Sequence, residues 1–327
     1  MNYMTESIRR VAVIGSGPMG LSLTAYLLQK VPVVLVVRNP EHIAQLHAHG
    51  IQFKNNAMQV IRKPIIVSLI EELKEFSDID LVFIATKSCA LLNVCLALKN
   101  VVSKQAYIVS YQNGFNTGQE IIDYTDNKNV LRMVLFYGAM FDDQKRIEMV
   151  FNNPPHHIGC LLETQQKDCK KIAALLSESG LNTVFNPAIE EIIWEKSISN
   201  ACVSPVCALT RTTIKQAMNS PARSLIINLL KEAVAVAEKH HIGVPINYFE
   251  KMVTYLDTLG DHYPSMVLDV LNNNPTEIVQ LNAQIISLGN RYKISTIAHD
   301  AVFALIQAID FQALFNSGDK TNKKSRE

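Results

Sequence analysis

The chain has 327 residues, 48% hydrophobic and 19% charged, with 31 basic against 30 acidic side chains and a formal net charge of +1. That length allows two domains with substantial cores, while so even a charge balance gives no long-range field for nucleic acid or an anionic membrane. No apolar stretch reaches the roughly 20 uncharged residues of a membrane span, residues 1–10 lack the apolar segment of a signal peptide, and the six cysteines (Cys89, Cys95, Cys160, Cys169, Cys202, Cys207) show neither CxxC nor Cys/His ligand spacing. The expectation is a cytoplasmic protein without a metal site, its thiols reduced and in the core.

The first predicted strand, residues 10–14, runs into Gly15-Ser16-Gly17-Pro18-Met19-Gly20, and a helix is predicted over 19–30. Between a strand and a helix the three glycines have separate tasks. Gly15 permits the tight turn, Gly17 lets the backbone approach a pyrophosphate, and Gly20 lets the helix pack closely on the strand. The amides of the opening helix then aim at phosphates, and Pro18 suits a first helical turn, where an N–H is not needed. The second predicted strand, 33–37, ends in Arg38. An acid there would accept from the ribose 2′-OH of NAD, whereas a guanidinium pairs with a 2′-phosphate. Residues 15–20 with Arg38 therefore point to NADPH. The competing reading of Arg38 is a solvated surface side chain.

Further strands are predicted at 65–67, 80–85, 106–110, 130–136 and 146–151, with helices at 40–48, 88–99 and 117–124. Late strands at 156–162 and 182–186 bracket a helix at 165–179. Such alternation predicts an α/β fold, a Rossmann-type doubly wound sheet with helices on both faces. Ligands of such sheets bind over the carboxyl ends of the strands, so the residues that close each apolar run matter. The run 81–85 ends in Thr86-Lys87, and 106–110 ends in Tyr111-Gln112-Asn113-Gly114. Lys87 and Asn113 are thereby expected beside the glycine turn. Taken singly, Lys87 reads as a solvated lysine and Asn113-Gly114 as a turn.

After Pro187 the apolar spacing is helical, over 188–204, 212–218, 221–241, 247–259, 265–272, 276–289 and 296–315. The predicted organisation is a nucleotide-binding domain at 1–187, an all-helical substrate domain at 188–318 and a disordered tail at 319–327. Lys196, Asn200 and Ser204 fall at i, i+4 and i+8, on one helix face. A lysine on a largely apolar helix has its proton affinity lowered by desolvation, as a general acid near neutral pH requires. A snorkelling lysine is the alternative. Ser265, after Pro264, either caps a helix or offers the helix start to a carboxylate. Glu277, three residues after Asn274, either completes a capping box or faces a substrate.

Together these segments resemble the ketopantoate reductase (2-dehydropantoate 2-reductase) family over most of the chain. The resemblance rests on residues 15–20 with Arg38, Ala85-Thr86-Lys87, Gln112-Asn113-Gly114, Trp194-Glu195-Lys196 with Asn200, Ser265-Met266 with Asp269, and Thr276-Glu277-Ile278. It implies reduction of a 2-oxo acid by NADPH in pantothenate synthesis, with Lys196 giving the proton and Glu277 positioning that lysine. Asn200 would hold the substrate oxygen and Ser265 its carboxylate, with Lys87 and Asn113 lining the cofactor and the reacting centre. Departures fall on the substrate side. Ser204 stands where the family has a second asparagine, His262 where asparagine is usual, and Val279-Gln280-Leu281-Asn282-Ala283 where an acid and Asn-Gly are usual. Two other functions stay open, reduction of a different 2-oxo acid and a non-catalytic NADP(H)-binding sensor. A homodimer is likewise left open.

Overall fold

Strands and helices alternate through the first 189 residues of the computed structural model, which describes residues 8–54, 63–243, 245 and 247–324, with side chains through residue 313. Among the described residues of this part there are ten strands: β1 (Arg10–Ile14), β2 (Val33–Val36), β3 (Ile65–Val67), β4 (Ile79–Ile84), β5 (Tyr107–Ser110), β6 (Val130–Val134), β7 (Tyr137–Phe141), β8 (Ile147–Asn152), β9 (His156–Cys160) and β10 (Thr183–Phe185). Between them lie α1 (Pro18–Leu27), α2 (Pro40–His49), α3 (Leu91–Leu98), α4 (Thr117–Thr125) and α5 (Gln166–Glu178). Eight strands form one sheet in the order β10-β9-β6-β5-β4-β1-β2-β3, parallel except where β9 pairs antiparallel with β6.

Alternate residues of β1 serve opposite faces of that sheet. Val11 and Val13 pack with Leu23 and Leu27 of α1 and with Ile172 and Leu176 of α5. Ala12 and Ile14 pack with Leu91, Val94 and Leu98 of α3 and Ile121 of α4. A strand buried on both faces reads as a continuous apolar run, which is how residues 11–14 read. The strand order reverses between β1 and β4, the switch point at which such sheets open a crevice.

The second part is all helical: α6 (Ile189–Thr210), α7 (Ile214–Met218), α8 (Arg223–Lys239), α9 (Tyr248–Thr258), α10 (Ser265–Leu271), α11 (Ile278–Tyr292) and α12 (Ile297–Lys324). Its core includes Ile198, Cys202 and Val206 of α6, Leu229, Leu230 and Ala233 of α8, and Ile285 of α11. The chain divides into two compact units, Met1–Gln112 with Asn116–Ile189, and Asn113–Phe115 with Glu190–Glu327. Asn113–Phe115 thus packs with the helices rather than with the sheet that precedes it. Phe115 lies edge-on to Trp194 at 4.7 Å between ring centroids, and Gly114 at φ +119° takes a backbone conformation that a side chain would strain.

Three local expectations need correction. The strand predicted at 130–136 ends at Val134, and a separate strand, β7, follows and pairs with β8. Gly138 hides β7 from a propensity reading, yet a Cβ there would sit 2.6 Å from the Phe151 ring, so cross-strand packing selects glycine. The helix predicted to stop at 204 continues through Pro205 to Thr210. α12 continues to Lys324, past the point from which the tail is expected. Residues 325–327 lie outside the described residues. Cys89 is exposed, because it sits in the short turn Ser88–Ala90 rather than on an apolar face, while Cys95, Cys169, Cys202 and Cys207 are buried. Among the described residues no helix is long and apolar enough to cross a membrane.

Candidate active site

In the sheet unit, Gly15 follows β1 with φ +121°, and a Cβ there would meet the Ala85 carbonyl carbon and oxygen at 2.8 Å, just beyond the end of β4. A Cβ at Gly20 would lie 2.1 Å from the Gly15 oxygen, so α1 packs on the turn only with glycine in place. Gly17 differs from both. It is exposed, precedes Pro18 at the first position of α1, and a Cβ there would have no protein atom within 4 Å. Two glycines are required by protein packing and the third borders open space at a helix start. That arrangement fits a pyrophosphate. Ser16 is half-buried in the same turn, and the Met19 carbonyl accepts from the Tyr137 hydroxyl at 3.4 Å.

The tips of β4 and β5 are tied together. Gln112 Nε2 donates to Thr86 Oγ1 at 3.2 Å and to the Lys87 carbonyl at 3.1 Å. Lys87 is exposed, immediately before the Ser88–Ala90 turn. Arg38 is exposed two residues beyond β2, and Asn39 after it caps α2 by accepting from the Glu41 and His42 amides at 2.8 and 3.1 Å. The capping bonds fix the backbone at the residue that follows Arg38.

In the helical unit, one pocket is lined by Asn113, Asn200, Ser204, Ser265, Met266, Asp269, Glu277 and Leu281. The i, i+4 spacing on α6 delivers Asn200 and Ser204 to it. Asn113 Nδ2 donates to Glu277 Oε2 at 3.2 Å. Glu277 also acts electrostatically on Lys196, one turn before Asn200. Burial pushes the Lys196 ammonium down from 10.5 to about 8, and the Glu277 carboxylate opposes that shift. Lys196 is half-buried, and burial is the larger cause of its lowered proton affinity.

The two capping alternatives do not hold. Pro264 occupies the N-cap of α10 and no side chain caps that helix, leaving Ser265 exposed at the pocket rim. Glu277 is itself the N-cap of α11 and its carboxylate makes no cap bond. The turn before it is held instead by Thr276, whose amide and hydroxyl donate to Asp310 at 3.2 and 2.7 Å. The Glu277 carboxylate accepts from Asn113 and acts on Lys196.

His262 does not line the pocket. Its amide donates to the Gly260 carbonyl at 3.0 Å and its carbonyl accepts from Ile214 at 3.2 Å. Met266, Asp269 and Leu281 line the pocket without having been assigned a task from sequence. The signal was available, since Asp269 stands four residues after Ser265 and Leu281 four after Glu277, each pair on one helix face. Among the described residues no three His, Cys, Asp or Glu side chains cluster as metal ligands would.

Two family models cover most of the chain. One described as "Ketopantoate reductase PanE/ApbA" matches residues 11–162, and one described as "Ketopantoate reductase PanE/ApbA C terminal" matches residues 188–310. The chain is 25% identical over 306 residues to the 2-dehydropantoate 2-reductase of Lactococcus lactis, covering 91% of this chain and 97% of that one. It is 24% identical over 331 residues to the enzyme of the same name from Aquifex aeolicus, covering 95% and 99%. Similar solved structures include a PanE/ApbA family ketopantoate reductase from Ralstonia eutropha, with TM-score 0.83, 19% identity and coverage of 93% and 99%. Another is D-mandelate dehydrogenase with NADH and anilino(oxo)acetate, with TM-score 0.82, 24% identity and coverage of 93% and 99%.

Proposed function

The chain belongs to the ketopantoate reductase family, and on that premise we propose that it reduces 2-dehydropantoate (ketopantoate) to pantoate with NADPH. The observation that carries the reading is the meeting of Asn113, Asn200, Ser204, Ser265 and Glu277 in one pocket, with Asn113 donating to Glu277 at 3.2 Å; beside it, burial brings the Lys196 ammonium down to about 8. A group with that proton affinity is charged at neutral pH yet gives up its proton readily, as a general acid must.

Residues 15–20 hold the pyrophosphate, Arg38 the 2′-phosphate and Lys87 the rest of the dinucleotide. The reduced nicotinamide, when bound, supplies the hydride for the 2-oxo carbon. Lys196 stabilises the developing alkoxide by its charge and then gives its proton to that oxygen, which becomes the hydroxyl of pantoate. Glu277 sets the direction of the lysine, Asn113 fixes Glu277, and Asn113 would line the cofactor when it is bound. Asn200 and Ser204 hold the substrate oxygens, and Ser265 receives the carboxylate. A cytoplasmic location follows from the same reading.

A second reading keeps the chemistry and changes the substrate. Met266 and Leu281 give the pocket an apolar side, suited to a 2-oxo acid with a bulkier apolar group, and the neighbour D-mandelate dehydrogenase holds NADH and anilino(oxo)acetate. A purely binding protein would gain nothing from a desolvated lysine, whose burial costs stability. A panel of 2-oxo acids assayed in parallel with NADPH and NADH separates the readings. Ketopantoate with NADPH is expected to give the highest kcat/KM. Preference for an aryl or larger alkyl oxo acid would transfer the assignment to the second reading, and tight NADPH binding without turnover would leave only the sensor.

A further inference from the structure

α6 carries Lys196, Asn200 and Ser204, and its hydrogen-bond ladder is interrupted by Pro205, immediately after the last of them. Pro205 has no N–H, so the helix leaves the Ala201 carbonyl without its usual donor four residues on. A buried carbonyl in that state costs roughly 1–3 kcal/mol unless another group donates to it. The donor comes from α11. Asn282 Nδ2 reaches the Ala201 oxygen at 3.0 Å, and the Asn282 side chain is wholly buried.

The same amide nitrogen contacts His299 Nδ1 at 2.9 Å, and His299 Nε2 contacts the Leu229 carbonyl at 2.9 Å. A carbonyl only accepts, so Nε2 carries the proton and Nδ1 accepts from Asn282. His299 is wholly buried, and its pKa is lowered to about 4, chiefly by burial, which keeps the neutral form this pairing needs. Both Asn282 amide hydrogens are then committed. Turning the amide over would set its oxygen against the Ala201 oxygen, so the orientation is fixed. His299 is held in turn, since Glu232 of α8 accepts from the Ala298 and His299 amides at 3.0 and 3.1 Å.

This chain of bonds joins α6 to α11 within the stretch that lines the pocket. Ala201 lies between Asn200 and Ser204. On α11, Asn282 follows the pocket residue Leu281 and stands five positions after Glu277. We propose that Asn282 and His299 are positioning residues, which set the α6 and α11 walls of the pocket at Pro205 and so hold Lys196 and Asn200 in line with Glu277. The proposal rests on the reading of Lys196 and Glu277 as the reacting pair.

The test is a cycle of Asn282→Leu, Pro205→Ala and the double variant, assayed for 2-oxo acid reduction by NADPH across pH. Asn282→Leu is expected to lower kcat/KM by about 100-fold, mostly in kcat, as a small misplacement of a reacting group does. The alkaline limb of its pH profile is expected to move downward, because Lys196 loses part of the Glu277 charge that raises its proton affinity. Adding Pro205→Ala returns an N–H to the Ala201 carbonyl, and recovery to within several-fold of the parent is expected. A folded Asn282→Leu with the parent's kcat, KM and pH limb overturns the proposal. So does a double variant no better than Asn282→Leu alone.

His299→Asn leaves Asn282 in place and removes its brace. It carries the same expectation at smaller size and decides the matter if Asn282→Leu does not fold. Lys196 can also be read without turnover, by its rate of reaction with trinitrobenzenesulfonate against pH, located by peptide mass spectrometry. A parent protein that reduces no 2-oxo acid would end the functional reading alone. The positioning claim would then stand if the Lys196 reaction profile shifts in Asn282→Leu, and fall if it does not.

Discussion

The glycine turn of the sheet unit and the polar pocket of the helical unit are built in opposite ways. The turn is a backbone device made within six consecutive residues, where Gly15 and Gly20 exclude side chains from each other's space. The pocket is a side-chain device drawn from the 113–115 segment, α6, α10 and α11, and its Asn113–Glu277 bond spans 164 positions. A local backbone device survives sequence drift because its constraints are steric. An assembled pocket changes one side chain at a time, and the departures at Ser204 and Leu281 fall there.

The largest expected effect tests the pocket. Lys196→Ala removes the proposed proton donor and the charge beside the developing alkoxide, and kcat should fall by about 10²–10⁴-fold, the usual range for losing a general acid. NADPH affinity, measured by fluorescence titration, should stay within about twofold of the parent, because residues 15–20 and Arg38 are untouched. Activity that survives the substitution would take Lys196 out of the mechanism.

Arg38→Ala is the complementary test. If Arg38 pairs with the 2′-phosphate as proposed, its removal should raise the KM for NADPH by about 10- to 100-fold, with that for NADH nearly unchanged. Equal effects on both nucleotides would identify Arg38 as a surface residue only.

What sequence revealed divides along the same line. Residues 11–20 show their structure because strand burial, the turn and the helix start are all set by near neighbours. Nothing near Glu277 reveals Asn113 as its partner, and nothing near Pro205 shows why the helix survives it. Proline reads locally as a stop, and the donor that permits continuation comes from Asn282 on another helix. β7 was missed for a related reason, since Gly138 is explained only by the Phe151 ring on the facing strand. Spacing did place Asn200 and Ser204 on one face, since i, i+4 geometry is local. It could not say that Asp269 and Leu281 would meet them.

The pH dependence gives a smaller effect with a definite sign. As the proposed proton donor, Lys196 has to be charged for reduction, and burial lowers its pKa to about 8. Reductive kcat should hold below pH 8 and fall about tenfold per unit above it, while the reverse oxidation should rise over the same interval. Chemistry must limit turnover for this limb to show, so the profile is best taken from single-turnover absorbance traces. A flat profile to pH 10 would mean that another group gives the proton.

The smallest effect distinguishes packing from binding inside the glycine turn itself. Gly17→Ala places a methyl where no protein atom lies within 4 Å and where φ is −69°, open to any residue. The nucleotide-free protein should therefore unfold within about 0.5 kcal/mol of the parent. Gly20→Ala forces a methyl against the Gly15 oxygen, and should cost about 1–3 kcal/mol in the same measurement. If Gly17 borders the pyrophosphate, Gly17→Ala should still weaken NADPH binding several-fold. Chemical denaturation paired with nucleotide titration tests both statements. Equal destabilisation by the two variants would mean that the open side of Gly17 faces protein, and an unchanged NADPH Kd in Gly17→Ala would remove that glycine from the phosphate site.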